Sequence, residues 1–572
     1  MPSKKKNKKR GTSIEQKNRR IKALFIVFVL MSFGVIGRLY YLQIENGDKY
    51  SALARGQRGI GAEVLPPRGD IYFQDKAGAD TFLAAANRNI PMAYANPREV
   101  SDEGFVAGEL MRILDLSESE TSSILERIEN KDMAYTILAR GLSKEQAEEI
   151  KELGMRGIHI TEEQVRFYPS DSVAAHSIGF LGYKGNERAG QYGVEEYYND
   201  ILSGKASLGF SLNNLLPGNT NAANIELTID YGAQFMVERK LKELVDRWSP
   251  DEVSAIFMNP KTGEIIAMAH IPGFDPNNYR DVDDISVFNN NITQSVYELG
   301  SVFKPITVAA AIDSGSITPQ TTYEDEGSIR IGSYTIRNSD REAHGEKTMT
   351  EALELSLNVG MVFAQQAMGK KPFRDYLEGF LLDQRTGIDL PGEARGNIDN
   401  IQNTNRDINF ATASFGQGIS FTPLRFLASI SAIANEGVIM KPHIVKRVDH
   451  NGSITETEPE EIASPISSMT ASRVTAMMVS TIEDGFGDKA AVPGYSVAGK
   501  TGTAQIPNPD SAGYSDRTLH SFVGFAPAYN PRFVGIIVMN NPKGVRFSSD
   551  STAPAFGEIA SFLLQYYKVP PQ

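Results

Sequence analysis

Ten Lys or Arg residues and one acid, Glu15, occupy positions 1–22, and the next fifteen, ALFIVFVLMSFGVIG at 23–37, carry no charge. This pairing constrains the chain more than any other feature. Continued through Arg38, Tyr40 and Tyr41 to Ile44, the segment 23–44 would span ~33 Å as a helix, enough for a bilayer core of about 30 Å. Arg38 can snorkel and the tyrosines suit an interface. Bulky residues follow the apolar run, and the first small-x-small site, Ala52-Leu53-Ala54, lies too far downstream for signal cleavage. The expectation is an uncleaved single-pass anchor. The basic flank places the tail in the cytoplasm and the rest of the chain outside.

That remainder carries −21 charges once the +9 of the tail is set apart from the total of −12. An acidic body argues against a nucleic-acid partner, which needs basic surface. The 572 residues contain no cysteine, which excludes disulfides, a thiol nucleophile and thiolate zinc sites. None of the seven histidines sits in a His-Glu-x-x-His pattern.

Beyond the anchor, 116–129 and 143–153 read as amphipathic helices. A Pro/Gly/Asn cluster at 217–224 marks a boundary, followed by a strand at 225–229 and a helix at 231–246. Residues 254–258 and 264–269 flank the turn Asn259-Pro260-Lys261-Thr262-Gly263, a hairpin signal. Two more apolar strands, 522–525 and 533–539, begin 253 residues after the hairpin ends at 269. Strands at both ends of a helical region predict one sheet assembled from distant segments, an α+β architecture.

Three short patterns carry the chemistry: Ser-x-x-Lys, Ser-x-Asn and Lys-Thr-Gly. Each occurs twice, so context must choose. Ser3/Lys6 lies in the basic tail, Ser211/Asn213 near the boundary, and Lys261-Thr262-Gly263 in a hairpin turn where Gly supplies a positive φ. The second set is Ser301/Lys304, Ser356/Asn358 and Lys500-Thr501-Gly502. Pro305 is tolerated only in the first turn of a helix, so the helix over 306–313 should start near Ser301. Positions i and i+3 share a face, which sets the Lys304 amine beside the Ser301 hydroxyl. A lysine acts as a base only when neutral, and burial plus a second cation, Lys500, would lower its pKa. Ser356 can relay a proton, and Asn358 can hold a substrate peptide group. Lys500, Thr501 and Thr503 can hold a carboxylate, while Gly502 lets a strand edge come close to substrate.

In order and context these motifs match the Ser-x-x-Lys, Ser-x-Asn and Lys-Thr-Gly set of penicillin-binding proteins. Residues 223–567 resemble the transpeptidase domain of class B penicillin-binding proteins, also through 262–269, Phe415-Gly416-Gln417-Gly418 and Thr422-Pro423-Leu424. Residues 45–222 resemble the class B pedestal through Arg68-Gly69-x-Ile71, Arg166-x-Tyr168-Pro169 with His176, and Gly193-Val194-Glu195. Tyr297-Glu298-Leu299-Gly300-Ser301 and 356–361 are similar to the division type. Two stretches depart from the family pattern: Phe73-Gln74 before Asp75-Lys76, and 380–385.

The resemblance implies four segments: a basic tail (1–22), an anchor (23–44), a mixed pedestal (45–222) and a transpeptidase domain (223–567) whose central antiparallel sheet is flanked by helices. It implies a D,D-transpeptidase of septal wall synthesis. Ser301 would attack the D-Ala-D-Ala bond of a peptidoglycan stem peptide, and β-lactams would acylate the same serine. The implied partners are stem peptides, a polytopic glycan polymerase and other division-complex membrane proteins. No cofactor or metal is implied. The rival readings are a D,D-carboxypeptidase or β-lactamase, which pass the acyl group to water, and a non-enzymatic penicillin sensor or scaffold.

Overall fold

A computed structural model of the chain describes Met31 and residues 67–75, 80–184, 187–204, 222–508 and 513–571. Apart from Met31, the expected anchor lies outside the described residues, as do the basic tail and the Ser3/Lys6 and Ser211/Asn213 pairs. Among the described residues no helix is long and apolar enough to cross a membrane. The chain divides into two compact units, one built from residues 88–165 and the other from 67–87 and 166–571 among those described.

The larger unit is organised by a five-stranded antiparallel sheet. After a strand at Asn224–Asp230 comes helix α1 (Tyr231–Trp248), whose N-terminus is capped by Asp230 accepting from Ala233 N. Strands β1 (Glu252–Met258) and β2 (Ile265–Ile271) form the expected hairpin. Helices α2 (Lys304–Asp313), α3 (Asn358–Met368), α4 (Pro423–Ala434) and α5 (Ser468–Glu483) follow. Strands β3 (Ala498–Pro507), β4 (Tyr514–Ala526) and β5 (Phe533–Asn540) and helix α6 (Thr552–Tyr566) close the unit. The strand order is β3-β4-β5-β1-β2, so the sheet is indeed assembled from distant segments, with β3 at an edge.

Both sheet faces are covered, which explains the near-continuous apolar strands. Along β5, Phe533, Ile537 and Met539 face one core with Val237 and Leu241 of α1 and Phe556, Ile559 and Leu563 of α6. Val534, Ile536 and Val538 alternate to the other face and its core with Ile306 of α2, Phe426 and Ile430 of α4, and Met477 and Met478 of α5. The α2 helix is buried along almost its whole length, which fixes its first turn rigidly.

The residues of the expected pedestal motifs in this unit converge on one buried carboxylate. Glu195 receives Arg68 Nε at 2.6 Å and Arg166 Nε at 2.7 Å, with the Tyr168 hydroxyl at 3.3 Å. Burial would raise the Glu195 pKa, but Arg166 and Arg68 hold it below the usual carboxylate range. Gly69 lies so close to the chain that a Cβ there would stand 1.8 Å from the Ala223 carbonyl oxygen. The three short pedestal motifs are thus one hydrogen-bonded knot. Asp75, in the departing stretch, accepts from the Tyr566 hydroxyl at the end of α6.

In the smaller unit, helices Glu118–Glu129 and Lys144–Glu152 sit within one residue or two of the ranges expected from the sequence. Each begins with a reciprocal capping box, Ser117 with Glu120 and Ser143 with Gln146, the pattern that marks such starts in a sequence. Leu110, Ile124, Ile128, Leu138 and Ile150 form its core.

Candidate active site

Gly300–Phe303 forms a 3-10 turn that runs into α2, with Pro305 in the first α-helical turn. The helical path therefore begins at the expected place, with a tighter first turn. In a 3-10 turn residues i and i+3 eclipse, so Ser301 and Lys304 are stacked along one side. Ser301 is half-buried and Lys304 fully buried.

The turn is wedged between two glycine contacts. Gly300, at φ +63°, donates its N–H to the Gly416 carbonyl at 3.2 Å, and a Cβ on Gly416 would lie 2.3 Å from the Gly300 carbonyl oxygen. On β3, a Cβ on Gly502 would meet Ser521 Oγ at 2.4 Å, and Leu299 O and Val302 Cγ1 at 3.0 Å. Any larger residue at 502 would push the edge strand away from the serine turn.

Three segments distant in sequence meet at Ser356. Its φ is +55°, uncommon for a residue with a side chain, in the link between the helix Met349–Glu354 and α3. Lys304 Nζ lies 2.5 Å from the Ser356 carbonyl oxygen and 3.2 Å from its Oγ, and Lys500 Nζ lies 3.0 Å from the same Oγ. Lys500 also donates to Thr501 O at 3.1 Å. Burial, then the repulsion of Lys500, drives the Lys304 pKa well below the usual lysine value. Burial pushes Lys500 down to about 7. Two amines and one hydroxyl in such contact form a path along which a proton can pass.

Asn358 opens α3 and donates Nδ2 to the Arg337 carbonyl at 2.9 Å. Thr501 is buried, and Thr503 Oγ1 exchanges bonds with Ser548, from Ser548 N at 3.1 Å and to Ser548 Oγ at 3.2 Å. Lys261, from the other Lys-Thr-Gly, is exposed in its turn and donates to Asn530 Oδ1 at 2.6 Å; Gly263 has φ +83°. Sequence reasoning missed the supports of this cluster. Asn338 Oδ1 accepts from Val359 N at 3.2 Å, and Asn338 is itself held by buried Asp325 at 2.8 Å. Nothing local to Asp325 or Asn338 signals a role, because their partners are far along the chain. Among the described residues no group of three or more His, Asp or Glu could hold a metal ion.

Fold and site together define a transpeptidase-type serine acyltransferase. The model of the penicillin-binding protein transpeptidase domain matches residues 253–561, and that of the penicillin-binding protein dimerisation domain matches 63–215. The chain belongs to the class B penicillin-binding proteins, the peptidoglycan D,D-transpeptidase family. It is 34% identical to stage V sporulation protein D of Bacillus subtilis over 93% of this chain and 84% of that one. It is 30% identical to the peptidoglycan D,D-transpeptidase FtsI of Escherichia coli over 94% and 90%. A crystal structure of penicillin-binding protein 3 of Mycobacterium tuberculosis complexed with aztreonam is 33% identical, with a TM-score of 0.65, covering 72% of this chain and 92% of that one. Penicillin-binding protein 2X of Streptococcus thermophilus shares the fold at TM-score 0.73 and 24% identity, over 89% of this chain and 81% of that one.

Proposed function

We propose that the chain is a membrane-anchored D,D-transpeptidase of septal peptidoglycan synthesis, divided as 1–22, 23–44, 45–222 and 223–567, with Ser301 as nucleophile. The observation that carries this reading is the convergence of buried Lys304 and Lys500 on Ser356 beside the serine turn. Neutral Lys304 takes the Ser301 proton as the oxygen attacks the D-Ala-D-Ala carbonyl. The Ser301–acyl bond forms, and Ser356 passes the proton on to the departing D-alanine nitrogen. The partial positive charge at the start of α2 favours the oxyanion. Protonated Lys500, with Thr501 and Thr503, holds the terminal carboxylate. Asn358 Oδ1 accepts from a substrate amide, and Gly502 keeps the β3 edge within reach of the donor peptide.

The β-lactam ring presents the same carbonyl, so penicillins acylate Ser301. The septal assignment is supported by FtsI among the relatives. A polytopic glycan polymerase and division-complex membrane proteins are the partners proposed for the anchor, whose basic flank sets the catalytic unit outside. Spheroplasts carrying the full chain test chemistry and topology together. Given a D-alanyl-D-alanine stem peptide and an amine acceptor in the medium, they are expected to release D-alanine and form the cross-linked product. Hydrolysed donor alone would favour the carboxypeptidase reading. Turnover that appears only after detergent lysis would place the catalytic unit on the cytoplasmic side.

A further inference from the structure

Peptide transfer moves two protons off the acceptor amine. The amine arrives as an ammonium with three protons, and the new peptide nitrogen keeps one. Lys304 can carry one of the two to Ser301 Oγ as the acyl–oxygen bond breaks. The Ser301, Lys304, Ser356 and Lys500 cluster offers no second base, since Lys500 must stay charged to hold the carboxylate.

A second base stands on the turn that leaves the strand Tyr334–Arg337. His344 Nε2 lies 2.8 Å from Asp340 Oδ2, with side-chain exposures of 20% and 35%. The turn is fixed against the site. Asp325 receives Asn338 Nδ2 at 2.8 Å and Gly327 N at 3.0 Å, and His344 N donates to the Asp325 carbonyl at 3.0 Å. On its other side the turn meets the start of α3, through Arg337 O with Asn358 Nδ2 and Asn338 Oδ1 with Val359 N. Asp340 is also the acid whose charge reaches Lys304. The pair therefore combines partial solvent access with a turn that is bonded to Asn358 at the start of α3.

We propose that His344, oriented by Asp340, takes the first proton from the ammonium group of the acceptor stem peptide at the mouth of the cleft. The inference rests on the D,D-transpeptidase reading. The freed amine attacks the Ser301 ester, the C–N bond forms, and the C–O bond breaks. The second proton returns through Lys304 to Ser301 Oγ, and His344 gives its proton to water. The charged groups around the imidazole are Asp340, Arg341 and Glu342 on its own turn, Glu346 on the strand that follows it, and Glu324 and Asp325 on the paired strand.

The test measures how the acyl-enzyme divides between amine and water. The full chain is acylated with an N-acyl-D-alanyl thioester, and D-alanine is supplied as acceptor across the neutral pH range. His344→Gln should lower the aminolysis-to-hydrolysis ratio about 10²-fold at pH 7, the lower end of the range for a lost general base. Asp340→Asn should fall between, and Glu342→Gln should match the wild type. An unchanged ratio in His344→Gln, or a loss confined to acylation, overturns the proposal. A wild type that forms no acyl-enzyme overturns the transpeptidase reading and this inference with it.

Discussion

Lys304→Met is expected to reduce the rate of acylation by a penicillin about 10³-fold, within the range for a lost general base. Methionine keeps the length and most of the volume of the side chain, so the packing of α2 is preserved. The missing atom is the Nζ that sits 2.5 Å from Ser356 O and 3.2 Å from Ser356 Oγ. The pH profile sharpens the claim. With Lys304 depressed by burial and by Lys500, the wild-type rate should rise with pH as Lys304 loses its proton. It should then fall near pH 7 and above, as Lys500 does the same and releases the carboxylate. The variant should lose the rising limb. Stability should move the other way. Between its lowered folded pKa and the ordinary value of about 10.4, Lys304 binds more protons in the unfolded chain, so its contribution improves as pH rises and is poorest at low pH. The variant has no such penalty and should melt no lower than the wild type at pH 7. Stopped-flow acylation and calorimetry on the two proteins decide the matter; a slow variant that also melts early would make Lys304 a packing residue.

Glu195→Ala carries the largest expected loss of stability. It would leave the Arg68 and Arg166 guanidinium groups buried without their carboxylate, a situation that costs about 3–5 kcal/mol. Because the protein has two compact units, the effect should show in the lowest-temperature calorimetric transition rather than in a single melting point. The sign with pH follows from the lowered Glu195 pKa. The stabilisation is complete above the unfolded carboxylate value of about 4.3 and is lost as pH falls through the folded value. Wild type and variant should therefore converge in strong acid. An unchanged first transition at neutral pH would mean that the knot is not what holds the pedestal residues together.

What could be read from the sequence follows the range of the forces involved. The β1–β2 hairpin, α1 and the capped helices of the smaller unit depend on periodicity and caps a few residues apart, and they lie within a few residues of expectation. The start of α2 was legible because Pro305 is tolerated only there. Of the duplicated Lys-Thr-Gly motifs, Lys261 lies in the exposed turn that its local context implied, and Lys500 lies in a buried strand. Tertiary supports were not legible. The positive φ of Ser356, the packing of Gly416 against Gly300, and the chain from Asp325 through Asn338 to α3 come from residues tens to more than a hundred positions apart. The His344–Asp340 pair was no more legible. Its spacing of four residues carries no chemical signal until the turn is seen against Asn358.

The central claim is that Ser301 is the nucleophile, and a covalent adduct tests it most directly. The intact protein is incubated with benzylpenicillin, its mass is measured, and the adduct is mapped by digestion. One penicilloyl group per chain is expected, on the peptide containing Ser301, and none in Ser301→Ala. An adduct on Ser356 or any other serine, or undiminished labelling of Ser301→Ala, would contradict the account.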